Sequence, residues 1–317
     1  MNKNYSAKTH APFGFSFHRK LAHQELPAKL FKSVTRLLTG SVVLFCLSYN
    51  SSLAGAEIVV NCQGSGEPLY LIGGGPAFSS RNLEPIQQNL RDSFQVCRWD
   101  MRGVGSNAAL TIAQDETVLD QWLQDMADVL PEQPVLIWGH SWGALQSLLF
   151  SRLYPERVKA MVLSNPVDPE LASLEHIESK RIVHPHVQEK LTLDEIDSAA
   201  EKRHSFRSKI ASYFVDAKKG WEYSAQFDHN DTNNKLNVQL WQEYKEVQLQ
   251  PHELKQLSTR ISALIYCRQD VLMPENHQRY SSMLPSVKHH MIDDCGHFPW
   301  VETPEKYYDI LQRSLSY

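Results

Sequence analysis

Several patterns that are typical of repeat proteins, disordered chains or metal sites are missing from this sequence. Its 317 residues contain no internal repeat and no low-complexity tract, so the chain is not an array of small units. Its five cysteines include no Cys-x-x-Cys spacing, which leaves out common zinc and redox motifs. Two histidine pairs, His184 with His186 and His289 with His290, have too few carboxylates nearby to argue for a metal. We therefore expect neither a cofactor nor a bound metal.

Positive charge is concentrated at the N-terminus. Residues 1–36 hold seven basic side chains and one acidic side chain. A short apolar run follows at 37–47, well below the roughly 18 apolar residues of a membrane-spanning helix. Ala54-Gly55-Ala56 then has the small-x-small pattern of a cleavage site. We interpret residues 1–56 as a basic leader and secretory signal removed after Ala56. This predicts an exported protein, periplasmic or secreted, with no stable membrane insertion after removal.

Other interpretations of this leader stay open. The basic region is long for a signal, since ordinary signals total about 15–30 residues. One hypothesis is therefore that translation begins later, near Val34. The segment could also remain in place as a membrane anchor, or serve as an organelle transit peptide.

Without the leader, the chain has an excess of negative charge. It retains 25 basic and 35 acidic residues, a net charge of about −10. Such a surface repels phosphate backbones, so we do not expect nucleic acid as a partner. The full chain is 42% hydrophobic and 21% charged, which is ordinary for a soluble globular enzyme.

The most informative stretch is Gly139-His140-Ser141-Trp142-Gly143. It lies between an apolar, strand-like run at 135–138 and a helix-like run at 144–154, in the strand–turn–helix context of a nucleophile elbow. Such a turn strains the serine backbone, and the flanking glycines avoid collisions with the neighbouring strand and helix. It also lifts the hydroxyl above the sheet, beside a helix N-terminus that favours negative charge. We predict that Ser141 is a catalytic nucleophile.

A serine hydroxyl is a weak nucleophile, so this prediction requires a base and a group that orients the base. Asp270 follows a predicted strand at 261–267, and His297 follows the last apolar alternation at 287–292. We predict that His297 is the base and Asp270 the acid. Three other carboxylates are alternatives for the acid: Asp168, Asp293 and Asp294.

Two backbone N–H groups should point at the oxyanion formed during attack. One is expected from Trp142, the residue after the nucleophile. The other is expected from the glycine-rich loop after the run 69–72, and we assign it to Gly74, with Gly75 as the alternative. A second glycine turn at 100–106 is expected to brace the loop beneath the site through an Asp–Arg pair.

Short apolar runs alternate with helical patterns over most of the chain. Strands are expected near 57–62, 69–73, 94–99, 134–139, 158–164, 261–267 and 287–292, and helices near 82–92, 115–130, 142–154, 276–284 and 304–316. This alternation predicts a mostly parallel central sheet with helices on both faces. The core is expected in two parts, 57–166 and 257–317. Between them, helical patterns at 193–217 and 236–249 predict an inserted helical lid over 167–256.

These segments together resemble the α/β-hydrolase superfamily, and the resemblance covers nearly all of 57–166 and 257–317. Trp142 and the turn at 100–106 are similar to its proline iminopeptidase branch. There are also departures. Ile72 stands where such families usually carry a histidine, and the triple glycine at 73–75 is similar to hydrolases that cleave carbon–carbon bonds.

The resemblance implies a serine hydrolase that cleaves an ester or an amide bond through an acyl-enzyme. In it, Ser141 would be nucleophile, His297 base and Asp270 acid. One form is a proline iminopeptidase-like aminopeptidase acting on a short peptide, and the alternative is a carboxylesterase or lactonase acting on a small molecule. A carbon–carbon bond hydrolase and a non-catalytic ligand-binding relative are weaker alternatives.

The predicted lid bears on the choice of substrate. An aminopeptidase needs an acidic group to hold the free α-amine, and Glu222, Glu243 and Glu246 are the candidates. Five aromatic residues are expected mainly to form the core of the lid, with lining of the substrate pocket as the alternative: Trp221, Tyr223, Phe227, Trp241 and Tyr244.

The resemblance also bears on the cysteines. In the usual strand order of the superfamily, Cys62 lies beside Cys97, and Cys267 lies near Cys295. Either pair could form a disulfide in an oxidising compartment, and four free thiols are the alternative.

Overall fold

The computed structural model describes residues 57–175, 177–180 and 199–316. The predicted leader, the pair His184 and His186, and the first part of the helical pattern at 193–217 lie outside the described residues.

A seven-stranded sheet forms the centre of the described part of the chain. Its strands are β1 (Val60–Gln63), β2 (Glu67–Ile72), β3 (Phe94–Trp99), β4 (Val135–His140), β5 (Val158–Ser164), β6 (Ile261–Cys267) and β7 (Lys288–Ile292). They lie in the order β1-β3-β2-β4-β5-β6-β7. Only β1 pairs antiparallel to its neighbour, and every other pairing is parallel. The mostly parallel sheet that the alternating pattern predicts is therefore confirmed.

Eleven α-helices occur among the described residues. They are α1 (Glu84–Leu90), α2 (Val118–Val129), α3 (Trp142–Leu153), α4 (Ile177–Lys180), α5 (Ala199–Ala211), α6 (Ala217–Ser224), α7 (Asn234–Glu246), α8 (Pro251–Leu257), α9 (Glu275–Met283), α10 (Pro299–Glu302) and α11 (Pro304–Leu315). None of these helices is long and apolar enough to cross a bilayer.

Alternate side chains of the central strands belong to two different hydrophobic layers. On β4, Val135 and Ile137 pack in the layer that contains α2 and α3. Leu136 and Trp138 pack in the layer that contains α1 and α11. All four are at most 1% exposed, as expected for a parallel strand that is covered on both faces. We therefore expect the polar side chains of a functional site to come from the loops at the strand ends.

Helices α4–α8 all lie between β5 and β6, in the part of the chain where strand-like runs disappear. The pattern at 236–249 corresponds to α7, whereas α8 was not predicted. Its start signals are nonetheless in the sequence, because Pro251 occupies the first turn and Glu253 accepts a hydrogen bond from the Gln250 N–H. We call residues 167–256 the insertion.

Two disulfides tie parts of the sheet together. Cys62–Cys97 joins β1 to β3, with the two Cα atoms 4.0 Å apart. Cys267–Cys295 joins the end of β6 to the loop after β7, with the two Cα atoms 5.2 Å apart. Both expected pairings are present, rather than four free thiols, and the compartment of the protein stays a prediction.

Candidate active site

Ser141 occupies the turn between β4 and α3 with a backbone that a side-chain-bearing residue rarely adopts. Its φ is 55° and its ψ is −120°. The turn leaves no room for a side chain at Gly143, where a Cβ atom would lie 2.1 Å from the Ile72 carbonyl oxygen. The strained strand–turn–helix geometry expected from the motif is therefore present.

A cavity opens beside this turn. Both Ser141 and His297 line it, together with Gly74, Gly75 and His140. Two side chains that are far apart in sequence thus meet at one site.

The imidazole of His297 is held by a buried carboxylate. Its Nδ1 lies 2.9 Å from Oδ2 and 3.0 Å from Oδ1 of Asp270. The Asp270 residue is 4% exposed and the His297 residue 6% exposed. Because Nδ1–H donates to the carboxylate, Nε2 of the neutral ring carries the lone pair. This is the form of histidine that can accept a proton from a hydroxyl.

The alternative acids have other partners. Asp168 is fully buried, and its carboxylate accepts backbone N–H groups of the loop that follows it, from Glu170, Ala172 and Ser173. Asp293 is exposed and pairs with Arg268 at 2.5 Å. Asp294 is also exposed. Of the four carboxylates considered, Asp270 is the one bonded to His297.

Asn165 is a site residue that the sequence patterns do not predict. It is fully buried at the end of β5, and its Nδ2 donates to Oδ2 of Asp270 at 2.6 Å and to the Gly296 carbonyl at 3.3 Å. Its φ of 43° is left-handed, a conformation that asparagine tolerates better than most residues. The signal available in the sequence was an asparagine directly after the predicted strand at 158–164, because asparagine is one of the few residues with a side chain that tolerate a left-handed turn.

His140 connects the nucleophile turn to the loop of His297. Its Nε2 donates to the His297 carbonyl oxygen at 2.9 Å, and the two rings lie 4.6 Å apart. Burial lowers the pKa of His140 well below its ordinary value, and the nearby His297 ring lowers it further. His140 therefore stays neutral and acts as a hydrogen-bond donor within the site.

The two residues expected to donate to the oxyanion both lie next to Ser141. A Cβ atom at position 74 would lie 2.8 Å from the Ser141 Cβ, so only glycine allows this close approach of the loop. Trp142 begins α3, where a backbone N–H has no partner within the helix. Gly75 also lines the cavity and remains the alternative to Gly74.

The turn at 100–106 braces the site, but the expected ion pair has a different partner. Arg102 pairs with Asp125 on α2, with the closest atoms 2.6 Å apart. The oxygens of Asp100 accept instead from the backbone N–H groups of Ser80 and Ser106, at 2.5 and 2.7 Å. Asp100 thereby links this turn to the segment after the glycine-rich loop.

The wall of the cavity is largely apolar and aromatic. The insertion contributes Phe206, Ile210 and Trp241, and the loop of His297 contributes Phe298. Of the five aromatic residues singled out in the sequence, Trp241 lines the cavity. The other four pack elsewhere in the fold: Trp221 against Arg207, Tyr223 and Phe227 against each other, and Tyr244 against Trp142.

The three candidate acids for binding an α-amine do not line the cavity. Glu243 accepts the Val118 and Leu119 N–H groups at the start of α2, at 3.2 and 2.8 Å. A carboxylate is favoured there by the free N–H groups and the dipole of the helix. Glu222 and Glu246 are exposed. None of the described residues that line the cavity is a glutamate or aspartate.

The described residues contain no cluster of three or more His, Cys, Asp or Glu side chains that could hold a metal ion.

Comparison with known proteins identifies similar sequences. The family model described as "alpha/beta hydrolase fold" matches residues 67–304. The proline iminopeptidase of Heyndrickxia coagulans is 25% identical over 265 residues, which cover 78% of this chain and 90% of that protein. The proline iminopeptidase of Clostridium botulinum is 23% identical over 287 residues, which cover 82% of this chain and 93% of that protein.

Solved structures are similar in fold at lower identity. A serine hydrolase involved in carbazole degradation has a TM-score of 0.59 at 19% identity, covering 81% of this chain and 93% of that one. A thermophilic esterase from Thermogutta terrifontis has a TM-score of 0.58 at 18% identity, covering 81% and 92%. At this level of identity the similarity concerns the fold alone.

The environment of His140 predicts a pH-dependent loss of stability. In the unfolded chain its imidazole takes up a proton below pH of about 6.5, whereas the folded chain excludes that proton. The unfolded state then binds more protons, so the free energy of unfolding falls as pH decreases. His140→Gln keeps a donor for the His297 carbonyl and removes the titration. The wild type should lose roughly 1 kcal/mol per pH unit relative to this variant below pH 6.5.

Urea unfolding at pH 7.5, 6 and 5 measures this difference. The exposed His252→Gln variant is the control, and its stability should follow that of the wild type across the series. Parallel curves for His140→Gln and wild type would contradict the prediction.

Proposed function

We propose that this chain cleaves ester or amide bonds through an acyl-enzyme on Ser141. The proposal builds on the family match: the chain belongs to the alpha/beta hydrolase family and is a hydrolase. One observation carries the proposal. His297 shares a cavity with the strained Ser141, while its Nδ1 is bonded to the buried Asp270 at 2.9 Å. Nucleophile, base and orienting acid are the three groups that serine-based acyl transfer requires.

The first half of the proposed reaction forms the acyl-enzyme. His297 Nε2 takes the proton of the Ser141 hydroxyl as the oxygen attacks the substrate carbonyl carbon. Asp270 stabilises the imidazolium, and the Trp142 and Gly74 N–H groups hold the oxyanion. Collapse of the tetrahedral intermediate breaks the ester or amide bond, and the imidazolium gives its proton to the leaving group.

The second half releases the product. Water attacks the acyl carbon while His297 Nε2 accepts a proton from it, and the same N–H groups hold the second oxyanion. When this intermediate collapses, the Ser141 oxygen leaves and regains the proton from the imidazolium. The acid departs and the enzyme returns to its starting state.

The described wall of the cavity combines apolar side chains with Lys209 and includes no carboxylate, which supports a substrate without a free α-amine, and hence a carboxylesterase. Phe206, Ile210, Trp241 and Phe298 provide apolar surface, and the acids that could hold an α-amine have partners elsewhere or are exposed. Because α5 and α7 supply part of this wall, we infer that the insertion acts as a lid over the site.

The second candidate is a proline iminopeptidase-like aminopeptidase. The similarity to two curated proline iminopeptidases, over at least 90% of their lengths, favours it. An aminopeptidase of this kind would need to hold a free α-amine beside the scissile bond.

Substitution of the triad tests the mechanism. Ser141→Ala and His297→Ala should each lower kcat by roughly 10³–10⁶-fold, because triad members act as a unit. Asp270→Asn should lower kcat by roughly 10⁴-fold, since the amide favours the wrong tautomer of His297. Hydrolysis of an aryl ester and labelling by a fluorophosphonate measure both effects.

Asp168→Asn is the matched control for the acid, because Asp168 is equally buried but bonds only to its own loop among the contacts described. It should keep kcat within a few-fold of the wild type. If Asp168→Asn lost as much activity as Asp270→Asn, or if Ser141→Ala retained wild-type turnover, the assignment would be wrong.

Asn165 should matter for catalysis through the carboxylate it contacts. Asn165→Ala removes a hydrogen bond to a buried charge, an interaction of roughly 1.5–3 kcal/mol. We expect kcat to fall about 10–100-fold with little change in KM, because Asn165 does not line the cavity. Steady-state kinetics on the same ester measures this.

Asn276→Ala is the control for Asn165. Asn276 is also fully buried, and its Nδ2 donates to the carbonyl of Pro166, the neighbour of Asn165, at 3.1 Å. This variant should lose stability but keep kcat within about threefold of the wild type. Equal kcat values for the two variants would argue against a specific role for Asn165.

A panel of reporter substrates decides between the two candidates. A carboxylesterase should hydrolyse p-nitrophenyl esters with short and medium acyl chains and leave prolyl p-nitroanilide intact. An aminopeptidase should hydrolyse prolyl p-nitroanilide and reject its N-acetylated form, since acetylation removes the charged amine. Turnover of prolyl p-nitroanilide above that of every ester would overturn the preference for the carboxylesterase.

A further inference from the structure

The loop that carries His297 rests on the turn between α5 and α6. We call residues 212–216 the α5–α6 turn. The His297 backbone N–H donates to the Tyr213 carbonyl at 2.9 Å, and the two side-chain rings lie 5.3 Å apart. The backbone of the candidate base is thus bonded directly to the insertion.

Glu302 bridges the same two segments from a third element. It is the last residue of α10, and its side chain turns back toward the loop. Oε2 accepts the Gly296 N–H at 2.7 Å, and Oε1 accepts the Val215 N–H at 2.8 Å. One oxygen therefore holds the residue before His297, and the other holds the α5–α6 turn.

Two opposing effects act on the carboxylate of Glu302. Burial raises the pKa of Glu302, while backbone N–H groups of Gly296, Val215 and Asp216 and the charge of Lys219 act in the opposite direction. A partly buried carboxylate costs free energy unless hydrogen bonds compensate for the lost water. Bonds from N–H groups to an ionised oxygen are stronger than neutral ones. The arrangement therefore depends on two acceptor oxygens rather than on the shape of the side chain alone.

We propose that Glu302 is a positioning residue that fixes His297 in place and couples it to the insertion. The inference rests on the proposed function, in which His297 is the base. Glu302 does not line the cavity, so it acts on the reaction through the loop. An error of about 1 Å in the position of a catalytic group can cost about 100-fold in rate, which sets the scale of the expected effect.

Different contacts fix the side chain and the backbone of His297. The side of the imidazole at Nδ1 is fixed by Asp270, whereas the backbone of His297 is fixed by the Tyr213 carbonyl and its flank by Glu302. Release of the Glu302 bridge removes the acceptor of the Gly296 N–H and that of the Val215 N–H together, while the bonds from Asn165 to the Gly296 carbonyl and from His140 to the His297 carbonyl remain. We expect the imidazole of His297 to shift relative to Ser141, while its hydrogen bond to Asp270 remains.

Two substitutions at this position test the proposal. Glu302→Ala removes both acceptors, and Glu302→Gln keeps the shape but turns an NH₂ group toward one of the two N–H donors. We expect kcat on an aryl ester to fall about 10–100-fold in Glu302→Ala, less in Glu302→Gln, with KM within about twofold of wild type. Glu305→Gln, an exposed acid three residues further along, is the control and should leave both constants unchanged.

Fluorophosphonate labelling separates positioning from loss of fold. Glu302 variants should be labelled to completion, like the wild type, but at a rate reduced in parallel with kcat. Wild-type kcat and labelling rate in Glu302→Ala, with only a lower melting temperature, would overturn the proposal. So would a changed KM at constant kcat. If Glu302→Ala does not fold, Glu302→Gln decides by the same criteria.

The wild type distinguishes failure of this inference from failure of the proposed function. If wild-type protein is neither labelled nor active on any ester or prolyl reporter, the proposed function fails and the role of Glu302 fails with it. If the wild type is labelled at Ser141 and the Glu302 variants match it in kcat and rate, only the positioning role is rejected.

Discussion

Ser141 has a left-handed backbone, with φ at 55°, and the space around it constrains the neighbouring chain. Gly143 lies against the Ile72 carbonyl, and Gly74 lies against Ser141 itself, so neither position has room for a side chain. A backbone in such a region costs roughly 1–3 kcal/mol, which the surrounding packing must supply. Ser141 directly follows β4, in which every residue is buried, so a well-packed strand leads into the strained turn. The position of the Ser141 hydroxyl therefore depends on the packing of the central strands as well as on its own turn.

The other half of the candidate site is held by a chain of buried polar contacts. The Trp138 Nε1–H donates to the Tyr307 hydroxyl at 2.9 Å, which donates to the Ser164 hydroxyl at 3.0 Å. Asn165, the next residue, donates to Asp270, which in turn accepts from His297. Buried networks of this kind are rigid when their members are satisfied. The acid and the imidazole are thus connected through β5 to the helical layer on the α11 side of the sheet.

Much of the fold and the main candidates of the site could be predicted from the sequence, for local reasons. The serine turn is recognisable because its crowding requires particular residues within five positions, and Asp270 and His297 follow strands that apolar runs identify. Partners that depend on distant packing could not be predicted. The carboxylate of Glu243, on α7, lies at the start of α2 because of how the insertion packs against that helix. Arg102 pairs with Asp125 because of how the turn at 100–106 packs against α2. No spacing in the sequence indicates either contact. Asn165 and Glu302 belong to the same class.

The order of these elements along the polypeptide has a consequence for synthesis. Ser141 belongs to the first half of the chain, but Asp270, His297 and the Cys267–Cys295 crosslink all come after residue 260. His297 also follows β7, the outermost strand of the sheet on its side. On the proposed mechanism, a growing polypeptide that already contains Ser141 lacks both the acid and the proton acceptor until the residues after 260 have been made. Hydrolysis would then begin only when the last strand has joined the sheet. An incomplete chain would leave the esters and peptides around it intact.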